Sequence, residues 1–101
     1  MYSYVGLLTM DTRDKIFDVA RQVKDAETYD FVTDVVFEDG VNFGRICVWH
    51  SFSCQLYTLF PRNEQKKMNI IYNQKCWTLF LRSNLRDKVV LVILRLAWCF
   101  S

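Results

Sequence analysis

Apolar positions recur at the spacing of one helix face along almost the whole chain, and polar breaks divide it into five segments. From Asp11 to Val23, Ile16, Val19, Ala20 and Val23 line one side. Asp11, Arg13, Asp14, Lys15 and Arg21 lie mostly round the other, which predicts an amphipathic helix. Asp25–Thr28 is a polar connector. Thr28 or Tyr29 opens a short helix with an apolar stripe of Phe31, Val32, Val35 and Val36. It should stop near Glu38-Asp39-Gly40, since glycine favours a helix C-terminus. Asn42 restarts the chain as an N-cap, with Val41 before it and Ile46 four positions after it as a hydrophobic staple. The helix that follows runs to about Phe60 and is almost wholly apolar, so it should be central. Pro61 and Arg62-Asn63-Glu64 break it. A further long helix, Glu64 to Leu81, carries Met68, Ile71, Tyr72, Lys75, Cys76 and Leu79 on successive turns. Ser83-Asn84 kinks or ends it, and Leu85–Phe100 forms the last helix. The run from Val89 to Ile93 has strand character, but one strand has no partner here.

Composition narrows this to a single all-α domain. The chain has 101 residues, of which 51% are hydrophobic and 16% aromatic, with only three glycines and one proline. That excludes disorder, collagen-like repeats and a turn-rich barrel. At this size roughly 65% of the extended chain's surface can be buried. So small a body cannot hide every apolar side chain.

The net charge of +2 implies no particular partner, but its distribution is uneven. Residues 1–61 hold five basic and nine acidic side chains, and residues 62–101 hold eight basic and two acidic. The simplest expectation is complementary packing of two helical layers. The basic residues are scattered among apolar ones and form no continuous stripe, which argues against nucleic acid. Cys47 and Cys54 stand about 10 Å apart if they share a helix, too far to bridge. Met1–Met10 lacks the basic start of a signal peptide, so the four cysteines are expected as free, mostly buried thiols in a reducing compartment. Without a Cys-x-x-Cys, and with His50 as the only histidine, neither a metal site nor any other cofactor is expected. Ile46–Pro61 and Val89–Phe100 are apolar but shorter than the roughly 20 residues a bilayer span needs, so no transmembrane anchor is expected. The second could instead lie on a membrane or bury against another subunit. No catalytic residues are assigned: Ser51 and His50 are adjacent, about 100° apart on a helix, with no acid nearby to orient the imidazole.

One stretch carries most of the information: Phe37-Glu38-Asp39-Gly40-Val41-Asn42-Phe43-Gly44-Arg45-Ile46. Arg45 falls in the first turn of the central helix, where the macrodipole disfavours a cation by a few tenths to about 1 kcal/mol. Gly44 costs about 1 kcal/mol relative to Ala inside a helix. Together they suggest a place where another backbone comes close and offers a carboxylate. The plain alternative is that Gly44 eases internal packing while Arg45 pairs with Glu38 or Asp39.

This stretch resembles the first homology motif of the Bcl-2 family: aromatic-x-Asp-Gly-x-Asn-Trp-Gly-Arg-Ile at the start of the fifth helix. It matches throughout except at Phe43, where the family has Trp. Tyr29–Val36 resembles the family's fourth helix, and Ser51-Phe52 recurs at the family's distance downstream. The resemblance implies a helical bundle around a central apolar hairpin, here Phe43–Phe60 and Glu64–Leu81. It also implies a surface groove for the amphipathic homology-3 (BH3) helix of pro-apoptotic members such as Bim, Bak and Bax, with Bim foremost. By position, Arg45 would pair with the ligand's Asp, while Asn42 would cap the helix and hydrogen-bond the ligand. Gly44, with Phe43 beside it, would admit the ligand backbone. Val32, Val36, Val48 and Phe52 would line the floor, and Phe17 and Ala20 the opposite wall. Glu38 and Asp39 would attract basic residues flanking the ligand's stripe.

The implied role is inhibition of apoptosis. Small versions of this kind are typical of viral homologues, iridoviral ones among them. The implied setting is the host cytoplasm, reaching the mitochondrial surface through partners. The 41 residues before Asn42 leave the family's first or second helix missing or shortened. A different reading makes the hairpin a membrane-active, pore-forming element. Trp77, Val89, Leu91, Ile93, Trp98 and Phe100 are expected to expose a patch that supports a homodimer.

Overall fold

The computed structural model describes residues 13–99, with side-chain surroundings from Asp18 onward. Among these residues five helices follow in order: α1 (Arg13–Gln22), α2 (Ala26–Val36), α3 (Phe43–Leu59), α4 (Arg62–Arg82) and α5 (Leu85–Cys99). No strand occurs among the described residues, and the molecule is an all-α helical bundle. Residues 11 and 12 of the expected first helix, and Phe100 of the last, lie outside the described residues.

Local chemistry sets the helix limits. The stretch expected as a connector is the start of α2. Asp25 is its N-cap, with extended backbone and a carboxylate accepting from the Thr28 N–H at 2.8 Å. That bond also holds the Asp25 carboxyl below its ordinary pKa. Glu64 accepts from the Ala26 N–H at 2.9 Å, so a side chain 38 residues away satisfies a second donor of that first turn. Asn42 caps α3 as expected, its Oδ1 accepting from the Arg45 N–H at 2.9 Å. Pro61 and Ser83 separate α4 from its neighbours, and Asn84 Oδ1 accepts from the Asp87 N–H at 2.9 Å to open α5.

Helix α3 packs against each of the other four, as an almost wholly apolar helix must. Ile46, Trp49, Phe52, Ser53 and Leu56 are all fully buried. The second arm of the hairpin differs from the expected apolar element. Only Met68, Tyr72, Cys76 and Leu79 of α4 are buried, and the rest of its surface is largely polar. It packs against α2 and α5 on the outside of the bundle. The expected charge complementarity appears there: Lys75 of α4 lies 2.7 Å from Asp30 and 2.6 Å from Asp34 of α2. The two carboxylates outweigh the desolvation that opposes its charge, and the Lys75 pKa is raised.

Two polar crossings join α2 to α3 inside the core. Trp49 Nε1 donates to Thr33 Oγ1 at 2.8 Å, and Thr33 Oγ1 donates to the Tyr29 carbonyl at 2.9 Å. Ser53 Oγ donates to the Trp49 carbonyl at 2.8 Å, so its one proton is committed and Tyr29 must donate to it across 2.7 Å. Aromatic stacking carries the order outward. Trp49 stacks on Tyr72 with centroids 4.8 Å apart, and Tyr72 on Trp98 at 4.0 Å, linking α3, α4 and α5. Ser53→Ala is expected to strand the buried Tyr29 hydroxyl and to cost about 1–3 kcal/mol. Adding Tyr29→Phe should recover part of that loss, which urea denaturation of the single and double variants would measure.

Candidate functional site

The turn between α2 and α3 presents the motif. Helix α2 ends at Val36, and Gly40 takes a φ of +136°, a conformation that other L-residues rarely adopt. Two guanidinium groups fasten the turn. Arg45 Nη1 donates to the Gly40 carbonyl at 3.1 Å, and Arg82 Nη2, from the end of α4, donates to the Phe37 carbonyl at 2.7 Å. A third, that of Arg86 in α5, lies 5.6 Å from the centroid of the Phe43 ring. Glu38 and Asp39 are exposed on the same turn. Arg82 and Arg86 were beyond sequence reasoning, because they lie some 40 residues downstream and no local pattern ties them to the motif.

The plain alternative for Arg45 does not hold. None of the ion pairs among the described residues involves Arg45, and its side-chain partner is a backbone carbonyl. Nor is Gly44 required by packing. The residue is exposed, and among the described residues a Cβ placed on it would meet only Asn42 Oδ1, at 3.5 Å. A residue of low helix propensity, not required by packing among the described residues, thus stands at a helix N-terminus beside a cation whose one side-chain bond holds the Gly40 carbonyl.

The apolar candidates sit deeper. Val32, Val36, Phe52 and Ala20 are core residues, 0–4% exposed, and Val48 is half-buried against them. A ligand would reach the buried ones only by displacing what covers them. Phe43 is exposed at the lip. The Phe17 side chain lies outside the described residues.

Other chemistry is sparse. No group of three or more His, Cys, Asp or Glu able to hold a metal occurs among the described residues. The thiols are free, but the expectation that they are mostly buried fails. Cys76 alone is buried, Cys47 is half-buried, and Cys54 and Cys99 are exposed, because the last two fall on the outward faces of α3 and α5. Burial pushes the Cys76 thiol up to about 12. His50 Nδ1 lies 2.8 Å from the Tyr72 hydroxyl, and Nε2 lies 3.5 Å from Cys54 Sγ. Burial raises the Cys54 thiol and lowers the His50 imidazole, so both are held neutral. A nucleophilic cysteine needs the reverse. No family model, characterised protein or solved structure matches the chain.

Two outcomes test this description. Gly44→Ala should leave the free protein as stable or stabilise it by up to about 1 kcal/mol, read from the urea midpoint. A loss of stability would show that the fold needs the glycine. For His50, the folded-state pKa lies below the ordinary 6.5, so the unfolded chain takes the proton first. Stability should hold above that pH and fall as the pH drops from 6.5 through the folded pKa. His50→Gln should flatten that part of the profile.

Proposed function

We propose that the chain is a pro-survival binding module of Bcl-2 type that sequesters the BH3 helix of pro-apoptotic proteins such as Bim, Bak and Bax, Bim foremost. The observation that carries the reading is the pairing of an exposed Gly44 with an Arg45 that meets no carboxylate among the described residues. Packing among the described residues does not require the glycine, the guanidinium meets a carbonyl in place of an acid, and each is what the family motif uses. The glycine admits a ligand backbone, and the guanidinium receives a ligand aspartate. Arg45 commits one N–H to the Gly40 carbonyl, which fixes the fork while leaving further donors for a carboxylate. Glu38 and Asp39 stand ready for basic residues flanking the ligand's apolar stripe. Arg86 over Phe43 adds a second cation beside the same entrance.

The apolar anchors of such a helix would need the surface in front of Val32, Val36, Val48 and Phe52. As Val32, Val36 and Phe52 are buried in the free chain, binding requires a local opening, and part of the binding free energy goes into that opening. The role that follows is inhibition of apoptosis by a virus-like minimal homologue acting in the host cytoplasm.

Calorimetric titration with BH3 peptides of Bim, Bak and Bax tests this. At least one should bind, and Arg45→Ala should weaken it by about 2–5 kcal/mol while circular dichroism stays unchanged. Absence of binding by every peptide, or binding indifferent to Arg45→Ala, would overturn the reading.

A further inference from the structure

Helix α5 is apolar on two opposite sides, and only one of them is used by the bundle. Leu91 and Trp98 are buried, with Val90 and Leu94 packed against the core. Leu85, Val89, Val92, Ile93 and Leu96 point outward, each 47–79% exposed. The patch therefore differs from the one expected from sequence: Trp77, Val89 and Ile93 belong to it, whereas Leu91 and Trp98 do not, because they turn inward. At about 100° per residue, the five outward positions fill about 100° of arc. Arg86 lies along one edge of that arc and Arg95 along the other, while Lys88 folds back to donate to the Phe80 and Ser83 carbonyls. The one acid of α5, Asp87, is buried. Trp77 of α4 is 61% exposed and shares a cavity of about 290 Å³ with Phe80, Leu91, Val92 and Arg95, so an indole borders the same face.

We infer that the outer face of α5 docks on an anionic bilayer surface, with the stripe from Leu85 to Leu96 sunk among the acyl chains and Arg86 and Arg95 at the headgroups. A broad apolar stripe edged by cations alone, with an aromatic beside it, is the composition of an interfacial helix. No helix among the described residues is long and apolar enough to cross a membrane, so the contact is one of lying on the surface. A second copy of the chain fits this face less well. A two-fold contact would set the same basic edges against each other, with no exposed acid on the helix to offset them.

Sedimentation of the full chain with vesicles tests the inference. It should bind vesicles containing phosphatidylserine, bind pure phosphatidylcholine weakly, and release as salt rises. The Trp77 emission should shift to the blue, because Trp49 and Trp98 are already buried. Arg86→Gln and Arg95→Gln should each lower partitioning roughly fivefold. Val89→Ser with Ile93→Ser, both at exposed positions, should lower it further without changing the circular dichroism. Absence of binding, or binding untouched by both sets of variants, would overturn the inference. So would a solution dimer that Ile93→Ser dissociates and that shows no affinity for lipid, for the face would then be an interface between copies.

Discussion

The bundle depends on a reciprocal polar lock between α2 and α3. Each helix gives a side-chain hydroxyl to its own backbone and receives a donor from the other. Thr33 and Ser53 donate to carbonyls four residues back, while Trp49 and Tyr29 reach across to them. All four residues are buried, so misplacing any one would leave an orphaned donor at a cost of about 1–3 kcal/mol. Apolar packing alone tolerates rotation and sliding of helices; a closed set of directional bonds does not. The lock therefore fixes the register of α2 on α3, and the Trp49–Tyr72–Trp98 stack passes that register to α4 and α5.

The connection from Phe37 to Asn42 is placed by this constraint. With both flanking helices fixed, the turn must close in few residues, and Gly40 supplies the unusual φ that allows it. Arg45 and Arg82 then bind the turn's carbonyls from two different helices. Binding one carbonyl costs a guanidinium little and holds its fork in one orientation, which lowers the entropy lost when a further acceptor arrives. The local features that lower helix stability, Gly44 and Arg45, are concentrated at the rim of a well-determined core. A scaffold so tightly specified can carry a first turn that propensity alone would not choose.

The apolar surplus of the composition divides unevenly. Much of it fills the core, and α3, buried by every neighbour, takes the largest share. Of what remains exposed, the densest set lies on α5 and the adjoining end of α4, and on α5 the sole acid is turned inward while Arg86 and Arg95 stay out. The motif and the α5 stripe thus meet at Arg86, whose guanidinium rests over Phe43. A ligand at the first and a surface at the second would both feel that one charge.

The sequence by itself determined the helices, because hydrophobic period, caps and breakers act within a few residues. Asn42, Pro61 and the polarity switch at Ser83-Asn84 each mark a limit that local backbone chemistry enforces. It also determined that Gly44 and Arg45 are anomalous, since propensity and macrodipole are local quantities. The start of α2 differs from the expected connector: Asp25 caps it locally through Thr28, and Glu64, 38 residues beyond Ala26, supplies a second acceptor that no local pattern shows. Tertiary structure alone decided that Arg45 meets a carbonyl and, among the described residues, no carboxylate, and that Val32, Val36 and Phe52 lie beneath the surface. It alone decided which side of α5 faces out. These depend on relative helix rotation, which many long-range contacts set together and no short stretch of residues encodes.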